Sequence, residues 1–446
     1  MADPREEILE SLKAFLRIPS ISTLSEHAGD VRRAAEFVRD ALVAARLRHV
    51  DLIEGGGNPL VYGEWLEAPG RPTLLLYGHY DVQPPDPLEE WHSPPFEPTV
   101  RNDSLYARGA CDDKGQTWIL IQAVAGLLAR DGRLPVNVRF LIEGEEEVGG
   151  KHIAAYVAAY PERLRADAAV ICDTEMFAPE LPTICTGLRG IVYGELHVTG
   201  ARQDLHSGVY GGVAPNPIQA IAEILCALKD RDGRIRIPGF HDRIRPPAAQ
   251  ELEAWARLPF DEAEYLEKEI GARELVGEPG YSVFERLWAR PTLEVHGIRG
   301  GFTGEGAKTV IPARAVAKIS LRLVADQTPE DASRQIAEAI AQACPRGVVA
   351  EWRTIHSGAP SLIGADNPFV QAAARAMEEV FGSPTVYIRS GGSIPIVGVF
   401  QQRLGIPSVL MGFGLPDDQI HAPNEKFYLP NLWRGIEAVQ RFLTVI

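Results

Sequence analysis

The segment Leu74–Val82 constrains the fold of this chain more than any other stretch. It begins with three consecutive leucines, and such a run is typical of a strand that is buried on both faces in a parallel sheet. His79 and Asp81 follow two residues apart. Because residues i and i+2 of an extended chain point the same way, Asp81 can stand beside or behind His79 at a site. A carboxylate there commonly orients a metal-bound histidine, although a polar turn after a core strand is the alternative.

Polar side chains follow the other predicted strands in the same way. The predicted strands at Val136–Ile142 and Ala168–Asp173 alternate with helices, which favours a mostly parallel sheet with right-handed crossovers. Ligands bind beyond the carboxyl ends of such strands. The candidate residues at or just after strand ends are His79, Asp112, Glu145–Glu147 and Asp173.

A second pattern occupies the middle of the chain. Alternating strands such as Tyr193–Val198 and Val316–Val324 accompany helices at Pro217–Lys229 and Pro329–Ala343, which favours an α+β domain. From Asp366 the α/β pattern resumes. We therefore predict an α/β protein with a mostly parallel-sheet catalytic domain, formed by residues 1–188 and 358–446, and an inserted α+β domain at 189–357.

Composition excludes several classes of function. A chain of 446 residues is too long for one ordinary domain, so we expect two. The formal charge of −15 argues against a nucleic-acid partner and against an anionic membrane surface. The five cysteines show no CxxC spacing, which argues against a disulfide framework or a thiolate zinc site. Without an apolar signal region at Met1–Glu7 or a run of roughly 18 apolar residues, we expect a cytoplasmic protein.

Two histidines and three carboxylates form the candidate metal-ligand set. Imidazole and carboxylate ligands suit zinc or a similar first-row ion, and five ligands exceed the need of one tetrahedral ion. We predict two ions that share a bridging carboxylate and a water, since ions about 3.5–4 Å apart are typical of hydrolytic sites. Of two adjacent glutamates, one can bind metal while the other acts as a general base. The ligand set is His79, Asp112, Glu147, Asp173 and His421.

Several motifs together resemble those of a family of dinuclear metallopeptidases. That family includes carnosinase, cytosolic nonspecific dipeptidase, glutamate carboxypeptidase, acetylornithine deacetylase and succinyl-diaminopimelate desuccinylase. The resemblance spans nearly the whole chain and is closest to the branch of carnosinase and nonspecific dipeptidase. Its motifs are Gly78–Pro84, Arg108–Gly115, Glu146–Gly149 and Ile420–Glu425, and those of the branch are Asp204–Gly212, Ala307–Pro312 and Gly391–Pro395.

The resemblance implies a role for each metal-site residue. His79 and Asp173 would bind one ion, Glu147 and His421 the other, and Asp112 would bridge them through a loop with a cis Asp112–Asp113 peptide. Asp81 would orient His79, and Glu146 would be the general base. Glu145 departs from the family pattern, and a one-residue slip would instead make Glu145 the base and Glu146 the ligand. We prefer Glu146 and Glu147 because their spacing to Gly149 matches the motif.

The resemblance also implies substrate contacts and an assembly. In the inserted domain, which would act as a lid and dimerisation domain, His206 would polarise the scissile carbonyl and Arg322 would pair with a substrate carboxylate. Further pocket residues would be Thr309, His356 and Ser393. The protein would be a homodimer in which His206 of one subunit completes the site of the other.

We therefore expect a metal-dependent hydrolase that cleaves the amide bond of dipeptides or related aminoacyl amides bearing a free carboxylate. A metal-bridging water would be the nucleophile, with two divalent ions per subunit. Zinc is the expected metal, and manganese and cobalt share the same ligands. The alternatives are an N-acyl amino acid deacylase and a non-catalytic binding protein on the same fold, which would have lost ligands.

Overall fold

The computed structural model describes residues 3–446 and divides into two compact units. The first unit comprises Met1–Thr186, Ile363–Ile388 and Ile394–Ile446. The second comprises Gly187–Leu362 and Arg389–Ser393, so it interrupts the first in sequence. Its role as a lid and dimerisation domain stays a prediction.

The strands are numbered in chain order. They are β1 (Arg48–Ile53), β2 (Leu60–Trp65), β3 (Thr73–His79), β4 (Thr99–Arg101), β5 (Ser104–Tyr106), β6 (Asn137–Glu143), β7 (Ala168–Ile171), β8 (Thr183–Leu188), β9 (Gly190–Thr199), β10 (Leu205–His206), β11 (Thr292–Gly300), β12 (Val310–Ile311), β13 (Arg314–Leu323), β14 (Val349–Gly358), β15 (Ser361–Leu362), β16 (Val386–Ser390), β17 (Ser408–Leu410) and β18 (Lys426–Tyr428).

The α-helices are numbered in the same way. They are α1 (Pro4–Leu16), α2 (Ala28–Ala44), α3 (Lys114–Asp131), α4 (Lys151–Ala159), α5 (Ser207–Tyr210), α6 (Pro217–Leu228), α7 (Ala249–Trp255), α8 (Glu262–Glu264), α9 (Pro329–Ala343), α10 (Pro368–Phe381), α11 (Pro395–Val399) and α12 (Leu429–Val445). Segments of π-helix occupy Tyr265–Ile270, Glu285–Ala289 and Phe400–Leu404. Within residues 3–446, no helix combines the length and apolar character that a membrane crossing requires.

The large sheet has nine strands in the order β1-β2-β6-β3-β7-β17-β8-β15, with β16 also paired to β8. Its centre is parallel, since β3 runs parallel to β6 and β7, and β17 runs parallel to β7. Strands β1, β2 and β8 pair antiparallel at the flanks. The predicted fold, an α/β protein with a mostly parallel sheet, is confirmed.

Strand β3 is buried on both faces, as its run of leucines predicts. Leu74 and Leu76 belong to the core that the sheet forms with α1, α2, α3, α10 and α12. Tyr77, which points to the opposite face, packs edge-on against Phe400. Both faces of β3 are therefore covered, and His79 stands at its carboxyl end.

Local sequence signals fix where the helices of this core begin and end. Helix α10 starts at Pro368 behind Asn367, whose side chain accepts a hydrogen bond from the backbone of Phe369. It stops at Gly382, which adopts the left-handed conformation that glycine tolerates best. Such caps explain why helix bounds follow from sequence more readily than contacts between loops do.

The second unit contains a four-stranded antiparallel sheet in the order β11-β13-β9-β14. One face packs against α6 and α9 around Val192, Leu196 and Ile336. Residues of β9 alternate between this core and the opposite, more open face, which carries Ile191 and Tyr193. The alternation predicted for an antiparallel strand is therefore present.

Candidate metal centre

His79 lies at the carboxyl end of β3 and is fully buried. Its Nε2 atom is 3.1 Å from Oδ1 of Asp112 and 3.9 Å from Oδ2 of Asp173. Asp112 precedes α3, and Asp173 follows β7, the parallel neighbour of β3. These three side chains form one group whose ligand atoms all lie within 4.8 Å of one another.

Asp112 also belongs to a second group of the same kind, with Glu147 and His421. Its other oxygen, Oδ2, is 2.9 Å from Nε2 of His421, and the same Nε2 is 3.3 Å from Oε2 of Glu147. Each oxygen of Asp112 thus faces a different histidine. This geometry fits two cations that share one carboxylate.

The electrostatics of the two groups also fit cations. Burial raises the pKa of Glu146 to about 8 and that of Asp113 to about 7, and it raises the pKa of Asp173 well above its usual value. Burial alone would raise the pKa of Asp112, but contacts with His421 and His79 outweigh it and lower that pKa. Crowded, buried carboxylates of this kind are stabilised by positive charge.

Two buried atoms of these groups make no well-aligned hydrogen bond within residues 3–446: Nε2 of His79, despite its 3.1 Å approach to Asp112, and Oε1 of Glu147. Buried polar atoms are normally satisfied, so such exceptions need an explanation. Metal coordination would satisfy both atoms. The groups therefore fit a dinuclear metal site on their chemistry and on their unsatisfied atoms.

Asp81 connects His79 to the loop after β6. Its carboxylate is 3.3 Å from Nδ1 of His79 and accepts a hydrogen bond of 2.6 Å from the hydroxyl of Ser22. It also accepts hydrogen bonds from the backbone N–H groups of Glu146 (3.3 Å) and Glu147 (3.2 Å). Nδ1 of His79 also lies 3.1 Å from the backbone carbonyl of Asp81, so this one fully buried residue contacts both a histidine of the first group and the loop that carries a carboxylate of the second.

The three consecutive glutamates have different surroundings. The Glu145 carboxylate accepts hydrogen bonds from the backbone N–H groups of Asn58 (2.8 Å) and His152 (3.2 Å). It therefore links the loop after β6 to the segment that precedes β2 and to helix α4. Glu147 belongs to the second group. Glu146 interacts electrostatically with His79, Glu147 and Asp112. This arrangement favours Glu146 and Glu147 over the one-residue slip as base and ligand.

The loop between β5 and α3 has the predicted cis peptide between Asp112 and Asp113. The Asp113 carboxylate lies behind the groups, where it accepts hydrogen bonds from the backbone N–H of His79 (3.0 Å) and the hydroxyl of Thr117 (2.7 Å). Asp112 and Asp113 are thus adjacent carboxylates with different partners.

The five predicted substrate-binding residues all belong to the second unit. His206 and Thr309 meet where β10 pairs with β12, since Ser207, next to His206, donates its backbone N–H to the carbonyl of Thr309. Arg322 donates a hydrogen bond of 2.9 Å to the hydroxyl of Ser393. His356 stacks on Tyr193, with ring centroids 5.2 Å apart.

Register places Arg322 and His356 on the same face of the four-stranded sheet. Strand β9 pairs Ile191 with Arg322 and Tyr193 with His356. Since residues 191 and 193 point the same way, their partners do as well. This is the open face, opposite α6 and α9. Whether these residues contact substrate stays a prediction.

Sequence reasoning missed the supporting residues of the site. It assigned no role to Ser22, Arg108 or Glu425, although Arg108 and Glu425 both lie inside motifs that carry the family resemblance. Glu425 accepts hydrogen bonds from Arg108, Gly109, Cys111 and Asp112, more than 300 positions away in sequence. The available signals were that Glu425 shares a motif with His421 and that Arg108 shares one with Asp112.

Fold and site together define the class of protein: a metal-dependent hydrolase with its site at the carboxyl ends of a mostly parallel sheet. Residues 75–445 match the model of peptidase family M20/M25/M40. The chain belongs to this family, and the predicted family and the prediction of an enzyme, a metallopeptidase, are confirmed.

Named relatives agree with this assignment over nearly the full chain. The Cys-Gly metallodipeptidase dug1 of Schizosaccharomyces pombe is 31% identical over 97% of this chain and 94% of its own length. The human Beta-Ala-His dipeptidase is 31% identical over 98% of this chain and 89% of its own. A solved structure, the M20 family metallo-carboxypeptidase Sso-CP2 from Sulfolobus solfataricus, is 32% identical with a TM-score of 0.88, covering 100% of this chain and 99% of that one.

Proposed function

We propose that this chain hydrolyses the amide bond of dipeptides that carry a free carboxylate. The observation that carries the proposal is the geometry of Asp112, whose two oxygens face His79 and His421 in two separate ligand groups. The names of its relatives, a Cys-Gly metallodipeptidase and a Beta-Ala-His dipeptidase, support dipeptides as substrates. They do not favour an N-acyl amino acid deacylase.

In this proposal, His79 and Asp173 hold one divalent ion, Glu147 and His421 hold the other, and Asp112 is shared. Zinc is the first choice, with manganese and cobalt as alternatives. When bound, the pair of ions lowers the pKa of a water molecule and polarises the scissile carbonyl. Asp81 keeps His79 in orientation through its contact with Nδ1.

Glu146 is the proposed general base. It accepts a proton from the attacking water and returns one to the leaving nitrogen, so that the amide bond is replaced by a carboxylate and an amine. The backbone N–H of Glu146 donates a hydrogen bond to the Asp81 carboxylate, which fixes the position of the backbone from which the Glu146 side chain extends. A base whose side-chain pKa can be tuned towards neutrality by its surroundings suits this double role.

Arg322 is the proposed partner of the substrate carboxylate. Its contact in the structure is the hydroxyl of Ser393 rather than a carboxylate, so its guanidinium charge is available. Arg189 adds positive charge nearby: burial and the charge of Arg322 lower the pKa of Arg189 to about 10, and its Nη1 atom has no hydrogen-bonding partner within residues 3–446. Two guanidinium groups favour an anionic ligand.

The remaining parts of the proposal come from the family resemblance. His206 polarises the scissile carbonyl, and Thr309 and His356 line the pocket with Ser393. The protein is a cytoplasmic homodimer in which His206 serves the site of the partner subunit.

Metal analysis followed by a substrate screen tests the proposed function. We expect two metal ions per chain after saturation and dialysis, and turnover of dipeptides with free carboxylates in a mass-spectrometric screen that includes N-acyl amino acids. Full activity with one ion per chain would contradict the dinuclear site. Turnover confined to N-acyl amino acids would contradict the substrate class.

A further inference from the structure

The loop that carries His421 is held in an unfavourable backbone conformation. Between β17 and β18, three residues other than glycine have positive φ: Gln419 (53°), His421 (63°) and Asn424 (66°). The left-handed region costs free energy for residues with a Cβ atom, and such strain persists only where surrounding contacts enforce it. The contacts of this loop therefore determine where the His421 imidazole lies.

Two anchors of the loop do not involve the metal ligands. Asn424 accepts a hydrogen bond from the backbone N–H of His92 (2.8 Å) and donates one to the carbonyl of Glu90 (2.9 Å). Lys426 donates to the carboxylate of Asp418 (2.9 Å), which closes the base of the loop. Both anchors are local to the loop and its neighbouring surface segment.

The third anchor is Glu425, which is fully buried. Its Oε2 atom accepts hydrogen bonds from Nη1 of Arg108 (2.7 Å) and the backbone N–H of Gly109 (2.9 Å). Its Oε1 atom accepts from the backbone N–H groups of Cys111 (2.9 Å) and Asp112 (3.0 Å). All four donors belong to the loop that presents Asp112.

We propose that Glu425 is a positioning residue of the dinuclear centre, which sets the separation between Asp112 and His421. The carboxylate joins the backbone of Asp112 to a residue only four positions after His421. Asp112 must reach both ions, so a small displacement of its loop relative to that of His421 would weaken the second site. This inference rests on the proposed function, because it takes Asp112 and His421 as ligands.

Glu425→Gln tests the inference. A glutamine has one acceptor oxygen, so its amide NH₂ must face two of the four donors, and half of the hydrogen bonds are lost. We expect the affinity for the more weakly bound zinc ion to fall about 10- to 100-fold, as is typical when a group that orients metal ligands is altered. The matched control is Asn424→Ala, which loosens the same loop but does not touch Arg108–Asp112. It should change zinc affinity much less.

The measurement is a zinc titration of each metal-free protein in competition with a chromophoric chelator, with thermal unfolding of the metal-free forms as a check on folding. Zinc affinities in Glu425→Gln that match the wild type, or a loss no larger than in Asn424→Ala, would overturn the inference. If Glu425→Gln does not fold, Glu425→Asp decides, because it keeps the charge but shortens the reach by one methylene. Wild-type zinc affinity in Glu425→Asp would then overturn the inference.

The titration also separates this inference from the proposed function. A wild-type chain that binds fewer than two zinc ions overturns both. A wild-type chain that binds two, together with a Glu425→Gln variant that binds two equally well, overturns the positioning role alone.

Discussion

Glu146→Gln is the substitution that tests the proposed chemistry most directly. It keeps the shape of a half-buried side chain in a strongly charged setting but removes the group that can accept a proton. Loss of general base catalysis costs about 10²- to 10⁴-fold in rate. At about 1.36 kcal/mol for each factor of ten, this is about 2.7–5.4 kcal/mol of transition-state stabilisation. Both metal ions should remain bound.

The neighbouring glutamates supply matched controls in the same loop. Glu147→Gln should weaken metal binding, because Glu147 lies 3.3 Å from His421 in the second ligand group. Glu145→Gln should leave turnover and metal content near wild type. It should lower the free energy of unfolding by about 1.5–3 kcal/mol, since one of its hydrogen bonds to Asn58 or His152 is lost from a charged acceptor.

The assay combines three measurements on each variant: kcat and KM for one dipeptide, metal content after dialysis, and denaturant unfolding. We expect a loss of kcat with full metal content for Glu146→Gln alone. If Glu145→Gln shows that phenotype and Glu146→Gln loses metal instead, the base is Glu145 and the ligand is Glu146, as in the one-residue slip, and the proposed roles are refuted. Near-wild-type turnover in Glu146→Gln would remove it as the base.

Proton release, carboxylate recognition and subunit exchange provide three more tests. Zinc binding at pH 7 should release protons, because in the metal-free protein burial raises the pKa of Glu146 to about 8, and contacts with Asp112 and Glu147 raise the pKa of His421 to about 10. Calorimetry in buffers of different ionisation enthalpy should show this release, reduced but still present at pH 9, and no dependence on buffer would contradict it. A dipeptide amide should be a much poorer substrate than the free acid, and Arg322→Ala should abolish that preference; equal kcat/KM for acid and amide would exclude Arg322 from carboxylate binding. Mixing His206→Ala with Glu146→Gln should restore activity on subunit exchange if His206 acts across a dimer, whereas inactive heterodimers, verified by native mass spectrometry, would place His206 in its own subunit.

Much of the fold could be predicted because its signals are local. Helix α9 begins at Pro329 and ends at Ala343 as predicted, since Thr328 caps it and its apolar residues recur at helical spacing. The leucine run of β3 predicted burial on both faces because no polar side chain interrupts it. In such segments the residues that determine the structure are neighbours in sequence.

The candidate site was less accessible to sequence reasoning. Polar residues after strand ends could be named from the pattern alone, because parallel strands bring their carboxyl ends to one edge. Which oxygen of Asp112 faces which histidine, and that Glu145 bonds to Asn58 and His152, could not. The direction of a side chain in an irregular loop depends on partners that no periodicity specifies.

The sequence by itself determined the chemical types of the candidate ligands and, for His79, Glu147 and Asp173, the strand ends near which they stand; Asp112 and His421 instead lie in longer loops, before α3 and between β17 and β18. Only the tertiary structure decided how they are held: Ser22 bonds to Asp81 across 59 positions, and Glu425 bonds to Asp112 across 313. Secondary-structure propensity, helix caps and hydrophobic periodicity depend on residues only a few positions apart, so short stretches of sequence are enough to reveal them. Hydrogen bonds between distant loops exist only after the sheet has brought those loops together, and so the geometry of the site is a property of the folded chain.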